Sequence, residues 1–457
     1  MGELDLIVIG AGLAGLTAAR AAGAAGCTVA VLEARGRVGG RTHGGRLANG
    51  VPVELGGQWI GATQTAMLGL VDELGLETFE TYDDGAAVTV HRGTRTAYSD
   101  ESLGLDVGAV EEFAGMQVEL EALAATVSLA SPWATDDAAR LDGQTLAEWL
   151  RGRTARADTL ELWRAIVAAL FSAEPAELSL LHFLFYLRSA GSLDVLMSTT
   201  AGAQERRVVG GTHLASERMA AELDVRTDSP VRAITEHRGG VRVGFDGGSL
   251  SAERVIVAIP PALAGRIAYS PPLPAERDGL TQQMPMGSVI KVHVAYPTPF
   301  WREAGLNGSA LDLDHLLGVA LDNSPPDASC GVIVGFFEGA AARAAARLSR
   351  EERRRAAVDA LVAMFGAAAG DPMEMVELNW MDEEFTRGCY GGRLGAGAWT
   401  QYGRALAEPV GRVHWAGSET ADVWNGYMEG AVRSGHRAAL EVLGMLGARE
   451  GDTDSER

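Results

Sequence analysis

Three stretches of the 457-residue sequence combine residue types that could do chemistry. Gly10, Gly12 and Gly15 stand in Gly-x-Gly-x-x-Gly spacing, and Glu33 follows 18 positions after the last of them. Glycines so spaced let backbone N–H groups approach a pyrophosphate, the next helix turns its positive end toward it, and an acid at that distance accepts from ribose hydroxyls. Lys291 is the only lysine among 39 basic residues; the other 38 are arginines. Its retention suggests a position that wants a compact or titratable amine, although chance survival in an arginine-biased chain explains it as simply. The stretch "RGCYGG" (387–392) sets Cys389 against Tyr390 between glycines, with Trp380 upstream in "ELNW". By residue types alone this is either a turn that holds a thiol or a thiol and a phenol placed to meet a ligand.

These residues need elements to position them. Residues 5–9 read as a buried central strand, the glycine turn opens a helix, and "TVAVLEARG" is a second buried strand ending at Glu33. Strand, turn, helix and acid in register read as a dinucleotide fold. After Glu33, "EARGRVGGRT" and "VELGGQWIG" bring more glycine clusters and Arg41 where an NAD fold would alternate strand and helix, so the cofactor expected is FAD. Farther on, the spacing predicts an amphipathic helix over 109–127, a buried helix over 176–187 and a hairpin of 241–245 with "RVIVAIP". A strand over 289–295 carries Lys291, a Ser349/Glu352 capping box opens a helix, and a last helix begins near Met428. There is no internal repeat and no long linker, so two or three domains are expected to interleave.

Composition narrows the classes. Hydrophobic residues at 47% and charged residues at 22% describe a soluble globular protein. A net charge of −21 speaks against nucleic acid as a partner; it serves solubility or draws cationic substrates. Three widely spaced cysteines, Cys27, Cys330 and Cys389, argue against a disulfide framework and for a reducing compartment. No leader or membrane-length apolar run is evident, and a cytoplasmic location is expected. The nine histidines show no metal spacing, and the hydrolase motifs His-Glu-x-x-His and Gly-x-Ser-x-Gly are absent, so no metal is expected.

At this point the sequence resembles a family. "LDLIVIGAGLAGLTAARAAGAAGCTVAVLEARGRVGGRT", "GGQWIG", "CYGG…TQYGR" and "WAGSETADVWNGYMEGAVRSG" are similar to the flavin-dependent monoamine oxidases, in order from residue 4 to about 443. The resemblance implies an α/β fold in which a Rossmann-type FAD-binding domain (1–80, 207–285, 386–457) interleaves with an α+β substrate domain of antiparallel sheet and helices (81–206, 286–385). It implies FAD contacts at Gly10, Gly12, Gly15, Glu33, Arg35, Gly40, Arg41, Gly57, Gln58, Trp59, Val231, Glu419 and Met428, with Trp380 as flavin support or core. Tyr390 and Tyr427 would form an aromatic cage before the flavin, Lys291 would hold a water near N5, and Gln204 would face the substrate. Cys389 falls at the cysteine that bonds the flavin 8α-methyl in animal members; the position is not always cysteine in bacterial ones, so a thioether and a free thiol are both open.

What the resemblance implies is oxidation of a neutral primary or secondary amine by O2, giving an imine that water converts to an aldehyde, plus hydrogen peroxide. Between "CY" and "TQYGR" this chain has "GGRLGAGAW" where animal enzymes carry an aromatic, proline-containing segment, so the pocket wall is expected to differ. The hydrophobic C-terminal anchor of the mitochondrial members is not present, and a homodimer is an expectation from the family alone. The same fold accommodates an L-amino-acid oxidase, which needs an arginine for the carboxylate, and a putrescine or polyamine oxidase, which needs a distal carboxylate. A more distant alternative is a dinucleotide-binding module without catalysis.

Overall fold

The computed structural model describes residues 4–454. The apolar run Leu4–Ile9 is a central strand, parallel to Val29–Leu32 on one side and to Gly248–Val257 on the other. Helix Leu13–Ala24 crosses over between the first two strands, as a right-handed parallel unit requires. Gly15 lets the helix lie on the strand: a Cβ there would meet the Gly10 carbonyl oxygen at 2.0 Å. The sheet has eight strands. Asp224–Arg226 lies at one edge, the meander of Gly240–Phe245 and Val231–His237 followed by Ala268–Ser270 lies at the other, and Val413–Trp415 also pairs with Gly248–Val257. That strand begins antiparallel to Gly240–Phe245, as the hairpin pattern predicts, and its second half runs parallel to Leu4–Ile9. The closing helix does start at Met428 and packs on Leu13–Ala24, where a Cβ at Gly435 would stand 2.4 Å from the Ala14 carbonyl oxygen.

A second sheet of seven strands runs in the order Glu374–Asn379, Val289–Tyr296, Gly331–Glu338, Leu317–Asp322, Leu306–Asp312, Ala86–His91, Thr94–Tyr98. It departs from the purely antiparallel expectation at one place: Leu306–Asp312 runs parallel to Ala86–His91, a strand supplied from far earlier in the chain. Side chains alternate across a strand, so Val289–Tyr296 serves two faces. Ile290, Val292 and Val294 pack under helix Arg350–Phe365 with Leu361 and Met364, and that helix opens on the expected Ser349/Glu352 capping box. Val289 and Lys291 point the other way. Their cross-strand partners Glu338 and Phe336 share that face.

The segment 107–190 is helical. Helix Val107–Ala124 starts and stops slightly earlier than its apolar spacing predicts, with Asp106 as its cap. The buried helix expected over 176–187 is Leu180–Ala190. Pro175 starts a short 3-10 turn, and Ser179 then accepts from the His182 N–H as the true N-cap. Among the described residues no helix is long and apolar enough to cross a membrane.

Candidate active site

A cavity of about 440 Å³ runs from the glycine turn to the face of the second sheet. At one end stand Gly10, Gly12, Glu33, Arg35, Gly39, Gly40 and Arg41. Gly12 is instructive: a Cβ there would meet no protein atom closer than 3.9 Å, so packing does not demand glycine and only a ligand would use the space. Glu33 is buried, and its carboxylate accepts from the Ala11 N–H at 2.8 Å and the Arg35 N–H at 3.0 Å, which fixes it at the cavity wall. Val231 lies in a smaller adjoining pocket with Pro230, Ile259, Glu33 and Arg35. A glycine cradle, a fixed acid and a side pocket beyond it are what an extended adenine dinucleotide requires.

At the other end Lys291 enters from the buried strand. Its Nζ donates to the Gly56 carbonyl at 2.8 Å and to Gln58 Oε1, and faces the Trp59 and Phe336 rings at 5.5 and 5.6 Å. Burial pushes its ammonium far below the usual lysine range, with Glu54 opposing and Arg207 adding to the effect. A neutral amine has two N–H bonds and one lone pair. Both donors are taken, so the lone pair is left for the cavity. Gln58 is itself held: its Nε2 donates to Asn323 Oδ1 at 2.7 Å, which also accepts from Arg207. Asn323 Nδ2 lies 3.2 Å from His293 Nδ1, and His293 Nε2 lies 2.9 Å from the Glu54 carbonyl oxygen. This network was not visible in the sequence: Gln58 belongs to the "GGQWIG" motif, but its partner Asn323 lies 265 positions away and outside any motif.

The C-terminal stretch closes the cavity. Cys389 and Tyr390 line it, joined by a cis peptide bond, and Tyr427 and Met428 line it at the start of the last helix. Tyr427 is held edge-on against Trp424, with ring centroids 4.8 Å apart. Burial pushes the Tyr427 hydroxyl up to about 12 and the Cys389 thiol up to about 12; Arg41 beside the thiol works the other way. Tyr390 donates its hydroxyl to Glu338 Oε1 at 2.7 Å.

Arg41 joins the two termini of the site. It makes a bidentate pair with Glu419 (2.6 and 2.9 Å) and donates to the Tyr390 carbonyl at 2.8 Å. Burial opposes the carboxylate, but the Arg41 guanidinium outweighs it and holds Glu419 below the usual range.

Most of the residues singled out from the sequence meet here: Gly10, Gly12, Glu33, Arg35, Gly40, Arg41, Gly57, Gln58, Trp59, Gln204, Lys291, Trp380, Cys389, Tyr390, Tyr427 and Met428 all line the one cavity. Three do not. Gly15 serves helix packing, Val231 lines the adjoining pocket, and Glu419 acts from behind the wall through Arg41, the Gly392 N–H and Ser418. Trp380 donates to the Leu55 carbonyl at 2.9 Å while lining the cavity, so it is wall and core at once. The buried Trp59 Nε1 and Gln204 Oε1 have no hydrogen-bond partner among the described residues, which fits a polar ligand against them. Glu338 is a lining residue that sequence reasoning missed; the signal was one acid closing the apolar strand "GVIVGFFE". Away from the cavity, His91, Asp158 and Glu161 come within metal-binding reach of one another, but Arg92 pairs with Asp158 and the His91 ring with Glu161.

Comparison with known proteins agrees with this geometry. Residues 13–443 match the family model of flavin containing amine oxidoreductases. The AofH protein of Mycobacterium tuberculosis, which carries a flavin-containing monoamine oxidase name, is 42% identical over 97% of both chains. A putrescine oxidase from Kocuria rosea is 39% identical, covering 97% of this chain and 95% of its own. The solved structure of cyclohexylamine oxidase from Brevibacterium oxydans superposes with a TM-score of 0.94 at 34% identity, over 98% of this chain and all of that one.

Proposed function

The chain belongs to the flavin-containing amine oxidoreductases, and from that premise we propose that it oxidises a small primary or secondary amine with O2, giving an aldehyde, ammonia or a smaller amine, and hydrogen peroxide. One observation carries the reading: Lys291, Tyr390 and Tyr427, from three separate segments, line a single cavity whose far end is a glycine cradle. FAD, when bound, accepts the two electrons and passes them to O2. Gly10, Gly12, Glu33, Arg35, Gly40 and Arg41 would hold its dinucleotide portion, Val231 the adenine side, and Gly57, Gln58, Trp59, Trp380 and Met428 its ring system. The parts 1–80, 207–285 and 386–457 form the cofactor half in this reading, and 81–206 with 286–385 the substrate half.

The chain's own residues have distinct tasks. Tyr390 and Tyr427 bound the slot for the amine nitrogen and exclude water, with Leu170, Ile166 and Phe336 completing an apolar wall. Lys291, held by Gly56 and Gln58, directs its lone pair at a water where O2 must approach. Gln204, its Oε1 unpaired, is a hydrogen-bond acceptor for the substrate. The first turn of the Met428 helix offers free N–H groups to developing negative charge. Cys389, which lines the cavity, would carry a thioether to the cofactor. Its thiol is disfavoured as thiolate by burial and favoured by Arg41 and Arg35, so attachment depends on how far the bound cofactor and these two guanidinium groups offset desolvation.

The test is peroxide release from the purified yellow protein with tyramine, cyclohexylamine, putrescine and an aromatic L-amino acid. Release with a monoamine and none with the amino acid supports the proposal. Release only with the amino acid replaces it with an amino-acid oxidase.

A further inference from the structure

Glu338 is a buried acid without a structural occupation. It ends the strand Gly331–Glu338, all eight residues of which are buried, and it is the only charged side chain there. It stands at the N-cap position of helix Gly339–Ala345 yet makes no capping hydrogen bond. Strand pairing puts it opposite Val289 and on the same sheet face as Lys291 and Phe336, the face that walls the cavity. One carboxyl oxygen accepts from the Tyr390 hydroxyl at 2.7 Å, and the other has no hydrogen-bond partner among the described residues. Among the described residues no cation pairs with it. Lys291 on the adjoining strand is committed to Gly56 and Gln58. Beyond the following turn Glu174 accepts from the Ala340 N–H and Arg343 pairs with Glu177. Tyr427 and Tyr186, across the cavity, carry no charge to offer. A buried carboxylate with no counter-ion is costly unless a ligand brings the counter-charge.

We propose that Glu338 is the group that receives the substrate as its ammonium ion: the free carboxylate oxygen docks the cation beside Tyr390 and takes one proton, so that the neutral amine enters the slot. This rests on the amine-oxidising reading above. In the step an N–H bond breaks and an O–H bond forms on Glu338, the nitrogen keeps the electron pair as its lone pair, and both charges are neutralised. Nothing is oxidised. The proton leaves to solvent after the product departs. Burial pushes the Glu338 carboxyl up to about 8, with the Tyr390 hydroxyl opposing, which brings its basicity toward that of an alkylamine and makes the transfer nearly balanced.

The test uses the holoenzyme, Glu338→Gln, and two ligands. α,α-Dimethylbenzylamine has no α-hydrogen, so it binds but does not react; 2-phenylpropan-2-ol is its neutral isostere. Dissociation constants are read from the flavin absorbance and from tryptophan fluorescence between pH 6.5 and 10. In the wild type the amine should bind tightest between the Glu338 and amine pKa values, weakening on both sides by about tenfold per pH unit. In Glu338→Gln only the free base is accommodated, so affinity should fall by about tenfold per unit everywhere below the amine's pKa, with no optimum. The alcohol should bind both proteins alike, within about twofold at every pH.

A wild-type profile without the acid limb near pH 8 overturns the proposal, and so does a variant that weakens alcohol and amine equally. A Glu338→Gln variant that binds the amine with the wild-type pH optimum would likewise overturn the proton-accepting role. These readings do not need turnover: an enzyme that binds the amine as described but oxidises none would refute the oxidase reading and leave Glu338's part standing.

Discussion

The uncompensated burial of Glu338 has a measurable thermodynamic consequence. Its carboxyl titrates at about 8 in the folded protein against 4.5 when unperturbed. The native state therefore holds this proton more tightly than the unfolded chain. The stability it confers is whole below pH 4.5, is lost as pH rises through the interval to about 8, and changes no further above that. At about 1.36 kcal/mol per pKa unit, the part of the interval above pH 5.5 corresponds to about 3 kcal/mol. Glu338→Gln keeps an oxygen for the Tyr390 hydroxyl but cannot ionise, so it escapes this loss. Unfolding entropy of about 2.1 cal/mol/K per residue gives a chain of this length about 1 °C of Tm per kcal/mol. The difference in Tm between Glu338→Gln and wild type should thus grow by about 3 °C, in the variant's favour, from pH 5.5 to 9, with calorimetry of the ligand-free holoenzyme as the assay. A difference that stays constant would refute the burial argument. A difference that shifts toward the wild type would mean that the carboxylate has a cationic partner and that the electrostatics of this wall have the opposite sign.

Lys291→Met should slow reoxidation by O2 by at least about tenfold while changing the dissociation constant of a monoamine by less than about threefold, because the amine serves the oxygen side of the site rather than the substrate slot; stopped-flow reoxidation and equilibrium titration separate the two. Acid precipitation should carry the yellow colour into the pellet for the wild type and leave it in the supernatant for Cys389→Ala; colour in the supernatant for both would exclude a thioether at Cys389. Glu419→Gln leaves the half-buried Arg41 without its carboxylate partner, and should lower stability by about 1–3 kcal/mol, read as a Tm drop of similar size in °C; an unchanged Tm would refute the role given to this pair.

What the sequence disclosed, and what it hid, follows from the range of the forces involved. The glycine turn, the strand ending at Glu33, the Ser349/Glu352 capping box and the helix start at Met428 are local, each set by spacing within one or two turns of chain, and each stands where its pattern places it. Lys291, Tyr390 and Tyr427 were legible through residue rarity and motif resemblance, and the fold gathers them into one cavity. The Arg41–Glu419 pair spans 378 positions and Gln58–Asn323 spans 265, and no periodicity encodes such partners. Glu419 is accordingly expected as a direct contact, whereas in the structure its carboxylate is bonded to Arg41 and does not line the cavity. Glu338 was hidden differently. A strand of apolar residues ending in one acid reads as a strand meeting solvent, and only the pairing with Val289, beside Lys291, turns that acid inward.

Anaerobic titration of the purified yellow protein with a monoamine tests whether the chain is an amine oxidase. One equivalent of amine should abolish the flavin absorbance and yield one equivalent of aldehyde, and admitting O2 should restore the colour with one equivalent of peroxide. Flavin absorbance unchanged by saturating monoamine, putrescine or cyclohexylamine, in protein shown to bind α,α-dimethylbenzylamine, would contradict that reading.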